Sequence, residues 1–374
     1  MASPQASPCK GTILVTGANG SLGSTIASQI ASTPELAAYH GLYAVRNAEA
    51  ASVLRSAIAQ NENKTPNPHR HDIISVDLAD LASVRAVAAT INARVAAGSL
   101  PPIRALILNA GYLEFTTQAW TPDGFDMSFA CNYLGHWLLT VLLLESMDRD
   151  AGRVVVVGSE SHDPHNPKSK ASFGEDRWLE FMRDGSSGAV ARGTWSTSEE
   201  DSSYHGGFRR YGASKFCQVM MMWASFPLCF FSSRNMSADF THSPELQRRV
   251  DTDSALSGIC VLGVDPGSMP GNLTRRGPWF IRLLMFKLIM PWLAPLMAWL
   301  QPNGPMRTLR LGAADVIAGA FQGASAPKGM YFYGPRAEEV TMEARDVKKR
   351  ERLWVETVGY IGLKEGETCL TNWN

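Results

Sequence analysis

A glycine-rich octet, TGANGSLG from Thr16 to Gly23, follows the β-branched run Thr12 to Val15 and precedes a stretch of helical spacing. A tight glycine turn between strand and helix lets backbone N–H groups approach a pyrophosphate at the helix N-terminus, where the dipole favours negative charge. Gly17 and Gly20 open such a turn and Gly23 allows close helix–strand packing, with Asn19, Ser21 and Leu22 as further candidate cofactor contacts. The next strand-like run ends in AVRN, with Val45 where a dinucleotide fold often carries an acid for the ribose 2′-hydroxyl. Arg46 follows it, and a guanidinium pairs with a 2′-phosphate, which favours NADP(H) over NAD(H). YGASK sets Tyr211 and Lys215 at i and i+4, on one helix face. An ammonium beside a phenol favours the phenolate and lowers its pKa toward working pH. Each motif alone has a plain alternative: a strand–helix turn, a solvated loop arginine, an unremarked Y-x-x-x-K.

The elements that must position these residues alternate. Strand signals at Thr12–Val15, Gly41–Val45, Ile73–Val76, Ala105–Leu108 and Arg153–Val157 are separated by helical stretches at 22–30, 48–60, 81–95 and 124–147. That is the pattern of a doubly wound parallel sheet, and the near-continuous Val, Ile and Leu fit strands covered on both faces. Two polar insertions interrupt it, at about 162–205 and 229–257, with core segments at about 11–161, 206–228 and 258–335 in a single α/β Rossmann-type domain. A helix from Tyr211 to about 226, a strand at 259–264, a helix at 306–321 and a last strand at 330–333 complete the reading. The first insertion is expected over the catalytic cleft, with Trp178 and Trp195 touching substrate or lid.

Six motifs in order carry a resemblance: TGANGSLG, NAG (Asn109, Ala110, Gly111), CNYLGHW around Asn132, VVVVGS ending at Ser159, YGASK, and DPG ending in Pro266 and Gly267. Together they are similar to those of the short-chain dehydrogenase/reductase family over about residues 11–275, with a weaker C-terminal part. The wording is most like the NADP(H)-using retinol-dehydrogenase-type branch, and the insertions resemble reductases of fungal specialised metabolism. The resemblance implies that Tyr211 is the general acid and that Lys215 lowers its pKa while holding the nicotinamide ribose. Ser159 would hydrogen-bond the substrate carbonyl, with Ser161 as the alternative. Asn132 would keep a helix open for a proton-relay water. Asp77, in VDLAD, would contact the adenine with Leu78 beside it, unless it merely caps the next helix. Asn109 would steady the sheet beside the cofactor, and Pro266 and Gly267 would also meet it. Three departures stand out. Ser21 replaces the family's usual middle glycine, Gly271 falls where a threonine often binds the carboxamide, and Ser159 and Tyr211 are 52 positions apart.

Composition narrows the function classes. The 374 residues hold 35 basic and 35 acidic side chains, so nothing draws the whole chain to nucleic acid. A mean hydropathy of −0.10 excludes a polytopic membrane protein. The six cysteines form no C-x-x-C pair and no metal site is implied; free thiols and the lack of an apolar leader point to the cytoplasm or its membrane face. Trp279 to Leu300 is 18 of 22 apolar with three tryptophans, but Arg282, Lys287, Pro291 and Pro295 argue against a membrane span. The segment (about 278–302) is expected to be a substrate lid that can touch a membrane surface through 279–300. A homo-oligomer through the helices carrying Asn132 and Tyr211 is a further expectation. The reading is NADPH-dependent reduction of a ketone or aldehyde on a lipophilic small molecule, or the reverse oxidation. The alternatives are a non-catalytic NADP(H)-binding regulator or scaffold, and an isomerase or cyclase on the same fold.

Overall fold

Every residue of β1 (Thr12–Thr16) is buried, and its side chains alternate between two cores: Ile13 and Val15 enter one, Leu14 the other. The same division holds in β4 (Ile103–Leu108), with Ala105 and Ile107 opposite Leu106 and Leu108, and in β5 (Arg153–Val157), with Val155 and Val157 opposite Val154 and Val156. A strand covered on both faces has no polar side to show, which is why these runs lack polar alternation.

The computed structural model describes residues 9–61, 68–222, 245–277, 289–301, 304, 306–321 and 328–374. Within them β2 (His40–Val45), β3 (His71–Ser75), β6 (Cys260–Asp265), β7 (Tyr331–Tyr333) and β8 (Arg336–Glu338) complete one sheet, ordered β3-β2-β1-β4-β5-β6-β7-β8. All neighbours are parallel except β7 and β8. One face is covered by α1 (Ser21–Ser32), α2 (Ser52–Ala59) and α8 (Leu309–Phe321). The other carries α3 (Leu81–Ala96), α4 (Gly135–Leu143), α5 (Tyr204–Met222), α6 (Glu245–Thr252) and α9 (Val347–Ile361); α7 spans Met290–Leu300. The strand order reverses between β1 and β4, and ligands of open α/β sheets bind at the carboxyl ends beside such a switch point.

Several boundaries differ from the sequence reading, each for a local reason. The helix expected from Gly124 starts at Met127, because Asp126 caps it by accepting from Ser128 N at 2.8 Å, and residues Ala130–Leu134 form a π-helix. Strand β8 and helix α9 were not anticipated, although α9 carries its own signals: Asp346 accepts from Lys348 N at 2.9 Å, and Gly362 ends the helix with φ of +60°.

The first insertion is not a decoration. Phe173, Trp178, Phe181, Met182, Val190 and Ala191 are buried in the main core. Each large apolar side chain removed from water contributes on the order of 1.5–3 kcal/mol. Trp178 is 3% exposed, packs edge-on to Trp195 at 5.1 Å, and lies under the Arg209 guanidinium at 4.3 Å. It is core, which corrects the expected contact with substrate or lid. Residues 340–363 cover this insertion: Glu343 accepts from Phe181 N and Met182 N, and Glu356 accepts from Ser187 N at 2.8 Å. Trp354 meets Trp137 at 4.7 Å.

Residues 278–288 of the expected lid, and most of the expected second insertion, lie outside the described residues. Helix α7, the described part of the lid segment, buries Ala294 but leaves Trp292 and Trp299 exposed. Among the described residues, Gly271–Gly277 lies against the glycine turn. Asn272 N donates to Ser21 Oγ at 3.0 Å, and Leu273 lies beside Gly111.

Candidate active site

The glycine turn is built for close approach. Gly17 has φ of +64°, and a Cβ there would lie 2.7 Å from Ala110 Cα. A Cβ on Gly23 would lie 2.4 Å from Gly17 O, so α1 can begin directly under the turn only with glycine here. Around Gly20 the nearest atom to a Cβ is Gly17 O at 3.2 Å, which leaves the side facing the cleft open. The first N–H groups of α1 have no side-chain cap, so they remain donors for an anion. Asn19 turns elsewhere: its Oδ1 accepts from Leu54 N at 3.0 Å, tying the turn to α2. Leu22 packs against the core on the α1 face.

The ends of β1 and β4 are locked together by Thr16 and Asn109. Thr16 Oγ1 accepts from Asn109 N at 2.9 Å and Ala110 N at 3.0 Å, while Asn109 Nδ2 donates to Thr16 O at 2.8 Å. Arg46 is exposed just past β2. Asp77 Oδ1 accepts from Ala79 N at 3.0 Å, whereas the cap of α3 is Asp80. Leu78 is buried with its carbonyl against α4, where a Cβ on Gly135 would fall 2.1 Å from Leu78 O. Arg46, Asp77 and Arg276 all act electrostatically on the buried Cys131 thiol. Arg275 feels the like charges of Arg276 and Arg46, so three guanidiniums gather there.

Asn132 sits in the π-helix with all its amide atoms engaged. Oδ1 accepts from Tyr112 N at 2.6 Å, and Nδ2 donates to Tyr112 O at 2.9 Å and Ser214 Oγ at 2.8 Å. The residue therefore pins the π-helix to the exit of β4 and to α5. Its carbonyl accepts from His136 Nδ1 at 2.8 Å. The tautomer follows from Thr16: its hydroxyl already accepts two N–H groups, so its own proton goes to His136 Nε2 at 2.9 Å. Burial lowers the His136 pKa to about 4, which keeps this ring neutral.

Ser159, at the end of β5, is half-buried. Its Oγ accepts from Ser161 Oγ at 3.0 Å and Ser161 N at 3.3 Å, leaving its own proton to donate. Ser161 is fully buried and supports Ser159. The Ser159 hydroxyl also reaches the Tyr211 phenol, stabilising its ionised form. Tyr211 is buried on α5, and desolvation, reinforced by the Asp265 charge, pushes its pKa well above that of free tyrosine. Lys215 Nζ lies 5.7 Å from the Tyr211 ring centroid. It donates to Val157 O at 2.9 Å and Gln218 Oε1 at 2.8 Å. Burial lowers its pKa to about 8, with Asp265 pulling the other way.

The turn after β6 closes the site. Gly267 has φ of +75°, and its N–H donates to Asp265 Oδ1 at 2.8 Å behind the buried Pro266. Asp265 Oδ2 has no hydrogen-bond partner among the described residues, and burial raises the carboxyl pKa to about 7. The fold thus gathers Ser159 and Asp265, at the ends of β5 and β6, with Tyr211 and Lys215 from the middle of α5. The glycine turn, Asn109 and Gly111 border the same cleft on the β1–β4 side. Sequence reasoning assigned no role to His136, Gln218, Asp265 or Arg275. His136 and Gln218 stand at i+4 from Asn132 and i+3 from Lys215, a spacing from which both could have been drawn.

Comparison with known proteins gives the family and the fold. Residues 11–171 match the family model for short chain dehydrogenases. The chain is 41% identical to the short-chain dehydrogenase iccH of Talaromyces variabilis, over 97% of this chain and 99% of that one. It is 30% identical to the WW domain-containing oxidoreductase of Danio rerio, over 75% of this chain and about half of that protein, 54%. Among solved structures, an uncharacterised protein of Mycobacterium paratuberculosis superposes with a TM-score of 0.57 at 21% identity, covering 96% of each chain. The angucycline C-6 ketoreductase LanV, solved with bound NADP, gives 0.53 at 17% identity, covering 87% of this chain and 95% of that one. The doubly wound sheet and these matches mark an oxidoreductase of the dinucleotide-binding class. The chain belongs to the short-chain dehydrogenase/reductase family.

Proposed function

We propose that this enzyme reduces a ketone or aldehyde on a lipophilic small molecule to the alcohol, with NADPH as reductant. The observation that carries the reading is the convergence of Ser159, Tyr211 and Lys215 beside an open glycine turn. NADPH, when bound, supplies the hydride. The cleft suits it: an uncapped helix start faces the pyrophosphate position, and Arg46 with Arg275 offers cations where a 2′-phosphate needs them. That LanV is a ketoreductase solved with NADP supports the same reading.

The chain's own residues divide the remaining work. Ser159, with its lone pairs occupied by Ser161, is free to donate its proton to the substrate carbonyl oxygen and orient it. Tyr211, kept protonated by burial, gives its proton to the same oxygen as negative charge develops there. Lys215, anchored by Val157 O and Gln218, stabilises the resulting phenolate. Incubation of the purified protein with a panel of apolar ketones, followed by nicotinamide absorbance and product analysis with deuterated NADPH, tests this. Deuterium on the carbinol carbon is expected. Cofactor binding without consumption on any carbonyl points to the scaffold alternative, and an unlabelled rearranged product to the isomerase.

A further inference from the structure

Buried polar atoms in a folded chain nearly always have a partner, and those that lack one call for a reason. Among the described residues, four such atoms gather on one side of the sheet behind Ser159: Asp265 Oδ2, His162 Nε2, Tyr331 Oη and Tyr333 Oη. Strand alternation puts them there. Val156 of β5, Val261 of β6 and Tyr331 of β7 all enter the core on the α5 side, so Gly158, Asp265 and Tyr333, an even number of positions further on, face the same way. A Cβ on Gly158 would fall 2.3 Å from Tyr331 Oη, so this hydroxyl fills the space beside the backbone leading into Ser159. It comes near the Ser159 N–H without meeting it in hydrogen-bond geometry. The His162 ring stands edge-on to Tyr331 at 5.0 Å, and Asp265 pairs with Tyr333 in the β6–β7 register.

The four atoms complement one another around water, which takes about two to four hydrogen bonds when buried. His162 Nδ1 donates to Ser159 O at 2.7 Å, so Nε2 of this neutral ring is an acceptor. Asp265 has one oxygen held by Gly267 N, and burial keeps its proton on up to about pH 7, which makes the other oxygen a donor. Glu160 and Glu338 oppose its ionisation, while Lys168, which favours it, already donates to Glu160 at 2.7 Å. Tyr211 and Lys215 on α5 and both tyrosines of β7 feel its charge. Carbonyl reduction leaves Tyr211 as a buried phenolate that must recover a proton before the next turnover. We propose, on the reading of Tyr211 as the general acid, that Asp265 stores this proton and returns it to Tyr211 through water held against Tyr331 and His162. In that step the carboxyl O–H bond breaks, the water takes the proton and gives one of its own to the phenolate oxygen, and no electrons are transferred. Solvent then reprotonates the carboxylate past the half-buried Tyr333.

Infrared titration of the full chain without any carbonyl substrate tests the store. The parent should show a protonated-carboxyl band persisting to about pH 7, missing from Asp265→Asn and shifted in frequency by Tyr331→Phe. No such band, or one unmoved by Tyr331→Phe, would overturn the proposal. The return step is read kinetically, with NADPH and the fastest ketone among acetophenone, cyclohexanone and camphor. In Asp265→Asn and Tyr331→Phe the steady-state rate should fall about tenfold or more beyond any fall in the single-turnover rate, because only repeated turnover needs the phenolate recharged. Equal losses in the two rates would make both residues structural and overturn it as well. If Asp265→Asn no longer binds NADPH, Tyr331→Phe, which keeps its ring, carries the same comparison. A parent that reduces none of the ketones refutes Tyr211 as the acid, and the return step with it, while the infrared band separates that failure from the lack of a store.

Discussion

Lys215 Nζ donates to Gln218 Oε1 at 2.8 Å, one helical turn further along α5, in a pocket where both residues are almost completely buried. A buried ammonium resists charging, and the amide oxygen is one of two acceptors that offset this. Gln218→Leu removes it, so the Lys215 pKa should fall further below about 8. The alkaline limb of the kcat profile should then move down by about 1–2 pH units, the worth of a charge-assisted bond. Gln218→Glu should move the same limb upward. A profile unchanged in both variants would separate Gln218 from the reacting pair.

Tyr211→Phe deletes the proton donor and keeps the ring packed beside Phe115 and Leu113. Turnover should drop by about 10²–10⁴, with the melting temperature and NADPH affinity close to those of the parent. Single-turnover hydride transfer measured alongside circular dichroism checks both halves.

Cofactor choice should follow Arg46. Arg46→Asp should reduce NADPH affinity relative to NADH by about ten- to a hundredfold, since a charge-assisted contact is exchanged for repulsion. Titration of intrinsic tryptophan fluorescence with each cofactor reads the ratio.

Asp265 makes stability depend on pH in a specified direction. Its carboxyl titrates at about 7 when folded against 3.8 for the ordinary value, so folding favours the protonated form. The group's contribution is complete below about pH 4 and is lost as pH rises through 7. Asp265→Asn stays neutral and its amide oxygen can still accept from Gly267 N. It should melt higher than the parent at pH 8, with the difference shrinking toward pH 4.5. A pH-independent difference would mean that charge burial is not its source.

Trp354→Ala tests whether the C-terminal helix belongs to the core. The side chain is 2% exposed, sits against Trp137 and lies under the Arg249 guanidinium at 4.5 Å. Loss of about 3–5 kcal/mol in chemical denaturation is expected, as for other large-to-small core changes.

The sequence made the sheet legible because strands buried on both faces must be almost wholly apolar, and glycines at forced turns mark where strand meets helix. Seven strands fall within a few residues of their expected places. The parts that escaped are amphipathic or local. Helix α9 opens on a charged run and shows its apolar side through Leu353, Trp354 and Ile361, with Val358 and Tyr360 beside them. The first insertion reads as polar because its few large residues are spread among serines and charges, and only the cover provided by 340–363 makes them core. Within the site, Tyr211 and Lys215 are read from type and spacing, whereas Ser159 comes only from the family resemblance. His136 and Gln218 lie one helical turn from Asn132 and Lys215, so their proximity is legible in the spacing, but the atom each one meets is not.

The mutual cover between the first insertion and α9 also imposes an order on biosynthesis. Roughly 140 residues separate the insertion from Val347, which at about 5–20 residues per second is about 7–28 s of translation. Throughout that interval Phe181 and Met182 lack the carboxylate of Glu343 for their backbone N–H groups, and Trp137 lacks Trp354. The nascent dinucleotide-binding half can assemble its glycine turn early, yet it carries an unsealed aromatic seam until α9 emerges. Chains stalled within that window are the ones that chaperones would hold and proteases would find.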